Sequence, residues 1–252
     1  MYSEFACVYD RLMRDVDYDA WAAHYRALLK KAGVSDGALV LEAACGTGSM
    51  TIRLARHYDM LPGDLSQEML SLAAKKARDA GLVIPFLLQN MRSLKAHKPL
   101  DAVIAACDAV NYLQSPADLS RFLRSAFAAL RPGGAVAFDV SSEYKLRQVL
   151  GNAPQVYTGD ALCYMWQNCW GEKTRKLDMR LDIFTLMGDG AWQRIQEAQT
   201  QRAWKEEEIS DALQASGFTR VRCFGGNTFK KPVPRALRLH FTAQKPNGKD
   251  LS

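Results

Sequence analysis

Between residues 38 and 140 the chain alternates between two hydrophobic periods. Short apolar runs at 38–42, 58–63, 84–88, 100–106 and 135–140 have the length and bounding turns of buried strands. The intervening segments carry apolar residues three and four apart, which is helical spacing. One spans 48–57, a second places Met69, Ala73 and Ala77 on one face, and a third places Leu119, Phe122, Leu123, Phe127 and Leu130 on another. Ser66 and Ser115 stand where caps belong, Pro116 suits a first turn, and Gly81 and the Arg131-Pro132-Gly133-Gly134 turn close the second and third segments. This β-α repetition predicts a parallel sheet covered by helices on both faces.

The two flanks read differently. Tyr2, Phe5, Ala6, Tyr9 and Leu12-Met13 form an aromatic helical face. Trp21, Tyr25, Leu28 and Leu29 continue the period after Asp17 or Asp19, either of which can cap, and Gly33 ends it. Past residue 150, runs at 161–170, 177–187 and 192–204 alternate as strands, separated by Gly171-Glu172-Lys173-Thr174 and Gly188-Asp189-Gly190 turn chemistry. They predict an antiparallel three-stranded sheet inserted into the main one. An acid-rich helix start (Glu206, Glu207, Glu208) with Ile209 and Leu213 inward, and strands at 219–224 and 237–244, return to the first pattern, leaving 245–252 as a frayed tail. The expected fold class is α/β: a doubly wound, Rossmann-like, mostly parallel seven-stranded sheet with an inserted antiparallel β lid. Residues 1–35 would form a helical cap, 36–150 with 205–245 the core, and 151–204 the lid.

Composition narrows the class. Of the 252 residues 48% are apolar and 10% aromatic, enough for a packed core and unlike a disordered chain. No apolar run approaches the ~20 residues that span a bilayer, so no membrane partner is expected. Glu4, Asp10 and Asp15 near the start suit neither a signal nor a transit peptide. The cysteines at 7, 45, 107, 163, 169 and 223 make no CxxC pair and read as reduced, buried thiols of a cytoplasmic protein. The four histidines are scattered and form no metal box. A net charge of +6 invites a nucleic-acid partner, whereas the dispersal of basic pairs (Lys30-Lys31, Lys75-Lys76, Lys230-Lys231) fits a solvated mixed surface. RNA stays open.

The chemistry concentrates at 38–51, where a strand ends in Glu42, turns through Gly46-Thr47-Gly48 and enters a helix. That arrangement lets backbone approach a nucleotide-like ligand closely. A dinucleotide fingerprint wants a third glycine where Thr51 stands. Asp64, at the end of the second strand, faces the same crevice, where a carboxylate can accept both ribose hydroxyls. Taken alone, it reads better as an ordinary turn or helix-entry aspartate; the glycine loop beside it favours the ribose.

The series Glu42-x-Ala44-x-Gly46-x-Gly48 resembles motif I of class I S-adenosylmethionine-dependent methyltransferases. Asp64-Leu65-Ser66-Gln67-Glu68-Met69-Leu70 is similar to a segment common in that family, as are Asp101-Ala102-Val103-Ile104 and Leu130-Arg131-Pro132-Gly133-Gly134. The opening Tyr2-x-x-Phe5-Ala6-x-x-Tyr9-Asp10 resembles a subgroup whose N-terminal helix folds over the cofactor and whose β-rich insertion follows strand five. The resemblance implies S-adenosylmethionine as cofactor, held by Tyr9, Glu42, Ala44, Gly46, Gly48, Asp64, Leu65, Asn90, Met91 and Cys107. Asn90 stands where the family carries an acid toward the adenine amine, and an amide oxygen can still accept there. Two departures follow. Ala44 replaces a glycine, with crowding or backbone strain and altered binding as the expected result. Pro62-Gly63 is expected to shorten the second strand.

The implied reaction is methyl transfer to nitrogen or oxygen of a small polar acceptor by a monomer or homodimer. The rival readings are an RNA-directed methyltransferase, a non-catalytic cofactor-binding protein and, more remotely, a nicotinamide dehydrogenase. Such transfer needs alignment and water exclusion more than acid-base chemistry. Asp108 and Tyr112, after the fourth strand, are the candidates to touch substrate or the methionine amine, followed by Asp139 and Tyr144. Capping and core packing are the alternative for Asn111-Tyr112. His24 titrates in a useful range but sits on a core-rich helix, and Cys107 lacks a histidine partner that would make it a nucleophile. Of the insertion's rings (Tyr157, Tyr164, Trp166, Trp170, Phe184, Trp192, Trp204) most are expected to anchor the lid and one or two to line a substrate pocket.

Overall fold

In a computed structural model that describes residues 3–247, the alternation becomes α1 (Ser3–Leu12), α2 (Tyr18–Lys31), β1 (Leu39–Ala43), α3 (Ser49–Leu54), β2 (Asp59–Asp64), α4 (Gln67–Asp79), β3 (Leu87–Leu88), β4 (Leu100–Ala105), α5 (Pro116–Ala129) and β5 (Leu130–Ser141). Four strands follow, β6 (Gln155–Thr158), β7 (Leu162–Gly171), β8 (Lys176–Leu186) and β9 (Trp192–Arg202), and then α6 (Glu206–Ala215), β10 (Thr219–Gly225) and β11 (Arg238–Gln244). Tyr2, the side chain of Cys7 and residues 248–252 of the expected tail lie outside the described residues. The caps are made locally: Asp17 Oδ1 accepts from the Ala20 amide (2.9 Å), Ser66 Oγ from Met69 (3.2 Å) and Ser115 Oγ from Asp118 (3.1 Å).

The main sheet has the order β10-β11-β5-β4-β1-β2-β3. β1 to β5 run parallel, and β11 lies antiparallel to both its neighbours. Successive strand side chains point to opposite faces. Leu41, Val103, Phe138 and Phe241 therefore pack with Phe122 of α5 and Leu213 of α6, while Val40, Ile104 and Ala137 pack with Tyr25 of α2 and Leu54 of α3. The second sheet, β6-β7-β8-β9, is antiparallel throughout. Its inner residues Leu177, Met179 and Ile183 share a core with Phe5 and Val8 of α1, Met69 of α4 and Leu146 of a π-helical segment, Lys145–Leu150. The N-terminal helix and the second sheet are thus one packing unit.

Several expectations change. The second sheet has four strands where the pattern predicted three, because β6 is only four residues long. The third strand shrinks from 84–88 to two residues. Pro62 does not shorten β2: the Gly63 carbonyl points toward β1, so Pro62 turns its missing N–H toward β3, whose pairing begins only at Gly63. Lys245 is not frayed, since its Nζ donates to the carbonyls of Phe127 (2.8 Å) and Leu130 (2.7 Å). Cys169 is exposed, against the expectation of buried thiols, whereas Cys45 is buried. No helix among the described residues is long and apolar enough to cross a membrane.

One buried amide joins the two sheets. Asn111 Nδ2 donates to the carbonyls of Ser141 (3.1 Å) and Arg202 (2.9 Å), and its Oδ1 accepts from the Ser141 amide (2.8 Å). Asn111→Ala would strand three backbone groups, two of them buried and one half-buried, so we expect a loss of about 3 kcal/mol in urea unfolding. A loss under about 1 kcal/mol would mean that the junction is held elsewhere.

Candidate functional site

A cavity of about 540 Å³ opens beyond the carboxyl ends of β1, β2 and β4, under α1 and beside β9. Crevices at this end of a parallel sheet are the usual ligand sites of such folds. Beyond β1 the chain bends through left-handed conformations at Ala44 (φ 75°), Gly46 (φ 54°) and Gly48 (φ 76°). The Ala44 and Cys45 amides donate to the Gly63 carbonyl (2.7 and 2.9 Å), which fixes the bend. The strain anticipated at Ala44 is therefore present, at about 1–2 kcal/mol for a residue with a Cβ, and Ala44 lines the cavity.

The two glycines do different work. A Cβ on Gly46 would meet nothing within 4 Å, and the residue lines the cavity. A Cβ on Gly48 would lie 2.9 Å from that of Ala73. Gly48, expected at the ligand, is instead a close-packing residue against α4 and does not line the cavity.

Two acids flank this loop. Asp64 Oδ2 accepts from the Gly46 amide (2.8 Å) and Oδ1 from Ser66 (2.9 Å), and Leu65 beside it is exposed at the rim. Glu42 forms part of the floor, 2% exposed, with its Oε2 accepting from the Thr51 hydroxyl (2.5 Å). Burial pushes the Glu42 carboxyl up to about 8, against the pull of Thr51 and with help from Asp64. On the far wall Asn90 and Met91 line the cavity. Asn90 Oδ1 already accepts from the Arg92 amide (2.9 Å) and Nε (3.2 Å), capping a short turn, a duty that the sequence did not suggest.

The cap is tied down by a polar cluster that sequence reasoning missed. Thr47 Oγ1 donates to Asp10 Oδ1 (2.7 Å), while Lys76 Nζ pairs with Asp10 Oδ2 (2.6 Å) and donates to Thr47 Oγ1 (3.0 Å). This clamp holds α1 against the glycine loop with Phe5 and Tyr9 facing the cavity. The signal available was Asp10, a polar neighbour of the aromatic face.

At the other end Tyr9, Tyr18, Tyr112 and Cys107 line the wall. Burial raises the Tyr9 hydroxyl, with Tyr18, Tyr112, Cys107 and Asp108 adding to it, and burial raises Tyr18 likewise. Both phenols therefore stay protonated at neutral pH. Burial also raises the Cys107 thiol, with Asp139 and Asp108 adding, so it is no thiolate. The Tyr112 hydroxyl donates to Gln199 Oε1 on β9 (2.7 Å). Gln199 is what the second sheet brings to the cavity. One or two of the insertion's seven rings were expected there, and none lines it: Trp204 Nε1 donates to the Val110 carbonyl (3.2 Å), and Trp170 packs into the core shared with α1.

Asp108 is the larger correction. Its carboxylate turns from the cavity to Arg238 (3.0 Å) and to Gln201 Nε2 (2.6 Å), and Asp108 does not line the wall. The cause lies in Asp139, fully buried, whose carboxylate accepts from the amides of Cys107 (2.8 Å) and Asp108 (2.9 Å), from the Tyr25 hydroxyl (2.5 Å) and from Arg238. Burial pushes Asp139 up, but Arg238, His240, Tyr25 and the Asp108 amide outweigh it, and the carboxyl sits below its ordinary range. Asp139 and Tyr144 do not line the cavity. His24 is also elsewhere, against His240 and Phe229 (ring centroids 4.5 and 5.2 Å), and burial lowers its pKa.

Comparison with known proteins accords with this geometry. Residues 40–134 match the family model described as a methyltransferase domain. The chain is 34% identical to the Bacillus subtilis protein YqeM, which bears the name of a methyltransferase, over 97% of either chain. It is 31% identical to an S-adenosylmethionine-dependent methyltransferase of known structure from Clostridium acetobutylicum, covering 98% of this chain and 99% of that one with a TM-score of 0.87. The sugar N-methyltransferase KedS8 from a Streptoalloteichus species, 20% identical, shares the fold with a TM-score of 0.78 over 95% of this chain and 93% of its own.

Glu42 makes stability fall as pH rises. Its folded pKa of about 8 exceeds the ordinary 4.5, so the folded state holds a proton that the unfolded state has lost, and folding weakens as pH climbs toward 8. Between pH 6.5 and 8, above the range of the buried histidines, we expect a loss of about 2 kcal/mol. Chemical denaturation at the two pH values checks this. A Glu42→Gln variant should flatten the slope, and an unchanged slope would assign it to another group.

Proposed function

The chain belongs to the S-adenosylmethionine-dependent methyltransferases, and from that premise we propose that its acceptor is a small polar molecule methylated on nitrogen or oxygen. The observation that carries this reading is a half-open cavity bracketed by the Asp10–Thr47–Lys76 clamp at one end and the Tyr112–Gln199 bond at the other. A volume of about 540 Å³ lies in the lower half of the range for small-molecule sites, roughly 300–1,000 Å³. Filled by a nucleoside cofactor, it keeps little room for an acceptor. The fold shared with a sugar N-methyltransferase supports the same class.

The residues present fit the cofactor. Glu42 is a buried acid whose described partner is a hydroxyl, which suits a cationic amino acid group. Gly46 leaves open space, and Asp64 stands at the rim with lone pairs beyond those that its two amide donors occupy. Glu42, Ala44 and Gly46 would hold the methionine part, Asp64 and Leu65 the ribose, and Asn90 and Met91 the base. When bound, S-adenosylmethionine supplies an electrophilic sulfonium methyl.

The chain's own residues then align and dehydrate. Tyr112, fixed by Gln199, would contact the acceptor, with Tyr9 and Tyr18 as neutral donors beside it. The wall carboxylates are engaged, Asp64 by amides and Asp118 by Arg92 (2.9 Å), and no histidine is among the described lining residues. Catalysis without a dedicated base follows, and Asp108 acts as a positioning residue through Arg238 and Gln201.

S-adenosylhomocysteine release in the presence of small amines and hydroxyl compounds tests the acceptor class. Turnover on one of them is expected, whereas turnover confined to RNA or protein would overturn the reading. Asp64→Ala should weaken S-adenosylmethionine binding by about 2–3 kcal/mol, or 30- to 150-fold, in calorimetric titration, since a charge-assisted contact is lost. Unchanged affinity would remove the ribose role.

A further inference from the structure

Away from the cavity, the β10 edge of the main sheet gathers positive charge. Arg222 pairs across the strands with Thr242, which shares its sheet face with His240 and α2. A register shift between Thr219 and Arg222, with Arg220 at φ 52°, turns Arg220 to the same side. There its Nη1 donates to Gln244 Oε1 (3.1 Å), and the Gln244 amide donates to the Ala32 carbonyl just past α2. Lys30 and Lys31 end that helix, and Lys31 Nζ lies 4.7 Å from the ring centroid of Phe229 in the β10–β11 loop, where Lys230 and Lys231 follow.

All six basic residues are exposed, and among the described residues none of them is in an ion pair. Asp36, the acid beside Lys30, is already bound to Arg26 (2.5 Å), and Glu206 and Glu207 lie by Cys223 on the other face of β10. Six charges equal the whole net charge of +6, so the rest of the chain is balanced. Two of the three basic pairs, Lys30-Lys31 and Lys230-Lys231, fold into this one stripe, while Lys75 and Lys76 pair with Asp79 and Asp10 elsewhere.

We infer that this stripe is a docking surface for RNA, gripped through its phosphates. Edge strands often carry charge to block strand pairing, which accounts for Arg220 and Arg222 but not for four lysines on a helix end and a loop. At about 3.3 Å per residue, β10 and its loop extend the charge over roughly 20 Å. That span suits several consecutive phosphates and exceeds any single anion. A membrane would meet the loop tip alone, whereas Arg220 and Arg222 lie back along the strand. Exposed Phe229 among the cations offers a base an apolar contact. The stripe is separate from the cavity, so RNA here is a partner and not the acceptor, and the inference does not depend on the acceptor's identity.

Fluorescence anisotropy of the full chain with a labelled 20-nucleotide single-stranded RNA tests it. Binding at 50 mM salt should weaken by about two orders of magnitude at 200 mM, as release of several counterions requires. Combined Lys30→Ala, Lys31→Ala, Arg222→Ala, Lys230→Ala and Lys231→Ala substitution should cost at least tenfold, with S-adenosylmethionine affinity unchanged in calorimetry. A control with Lys95→Ala, Lys98→Ala and Lys173→Ala should stay within twofold of the parent. No binding at 50 mM, equal losses in the two variants, or binding to phosphatidylserine vesicles without binding to RNA would each overturn the proposal. Failure of S-adenosylmethionine to bind while RNA binding persists would instead strike only the proposed cofactor role.

Discussion

The carboxylate of Asp139 is the constraint on which the cavity end of the molecule rests. Transferring a carboxylate to a protein interior costs several kcal/mol even after relaxation, and only close, well-formed partners offset it. Here the partners come from three separate parts of the chain: Tyr25 on α2, the Cys107 and Asp108 amides after β4, and Arg238 on β11. Asp108 extends the network to Gln201 on β9. One buried charge therefore sets the helix that covers the sheet, the loop that borders the Tyr112 end of the cavity and, through Asp108, the strand beside it.

Backbone strain follows the same logic. Cys107 and Asp108 are consecutive left-handed residues with side chains, a conformation that persists only where the surroundings over-determine it. The Asp139 carboxylate supplies that determination by accepting both amides. At the opposite wall, Ala44 is held the same way by the Gly63 carbonyl. A third case, Arg175 at φ 53° in the turn between β7 and β8, bonds Glu143 and Glu208 at 2.9 Å each and so ties the second sheet to the main one. Strained residues thus stand at both ends of the cavity and in the hairpin that ties the two sheets, with Arg220 in the β10 bulge as the exception.

How much of this the sequence disclosed depends on the range of the forces involved. Strands 39–43 and 100–105, the capped helices and the two long hairpins were legible because period and capping are local. Glu42, Gly46 and Asp64 were legible as a group because a strand, a tight turn and a helix entry bring them together within a short span of chain. The orientation of Asp108 was not, since Arg238 lies 130 residues away and Gln201 93. Gln199 was hidden by the pairing of β9, which turns an amide inward where aromatic rings were expected. Gly48 misled for a subtler reason: a glycine needed for helix packing and one needed for a ligand look alike until α4 is in place.

The two ends of the cavity differ in the charge that they accept, and this bears on the absence of a dedicated base in the proposed mechanism. The Glu42–Asp64 end carries two carboxyl groups, Glu42 buried in the floor and Asp64 at the rim, and it suits a positive group. The Tyr9–Tyr18–Tyr112 end presents protonated phenols and an amide. A charged ammonium brought to that second end would lose its hydration without gaining a counter-ion, because Asp108 is already spent on Arg238. Desolvation lowers an amine's pKa, as it lowers those of buried His24 and half-buried Lys145 in this molecule. An amine acceptor that packs against Tyr9 and Tyr18, with the half-exposed Tyr112 at its outer side, would therefore hold its proton less tightly, and partial burial would favour the neutral nucleophile. On this reading the clamp on α1 and the Tyr112–Gln199 bond serve the chemistry directly, since the drier the end they close, the more of the acceptor is in its reactive form.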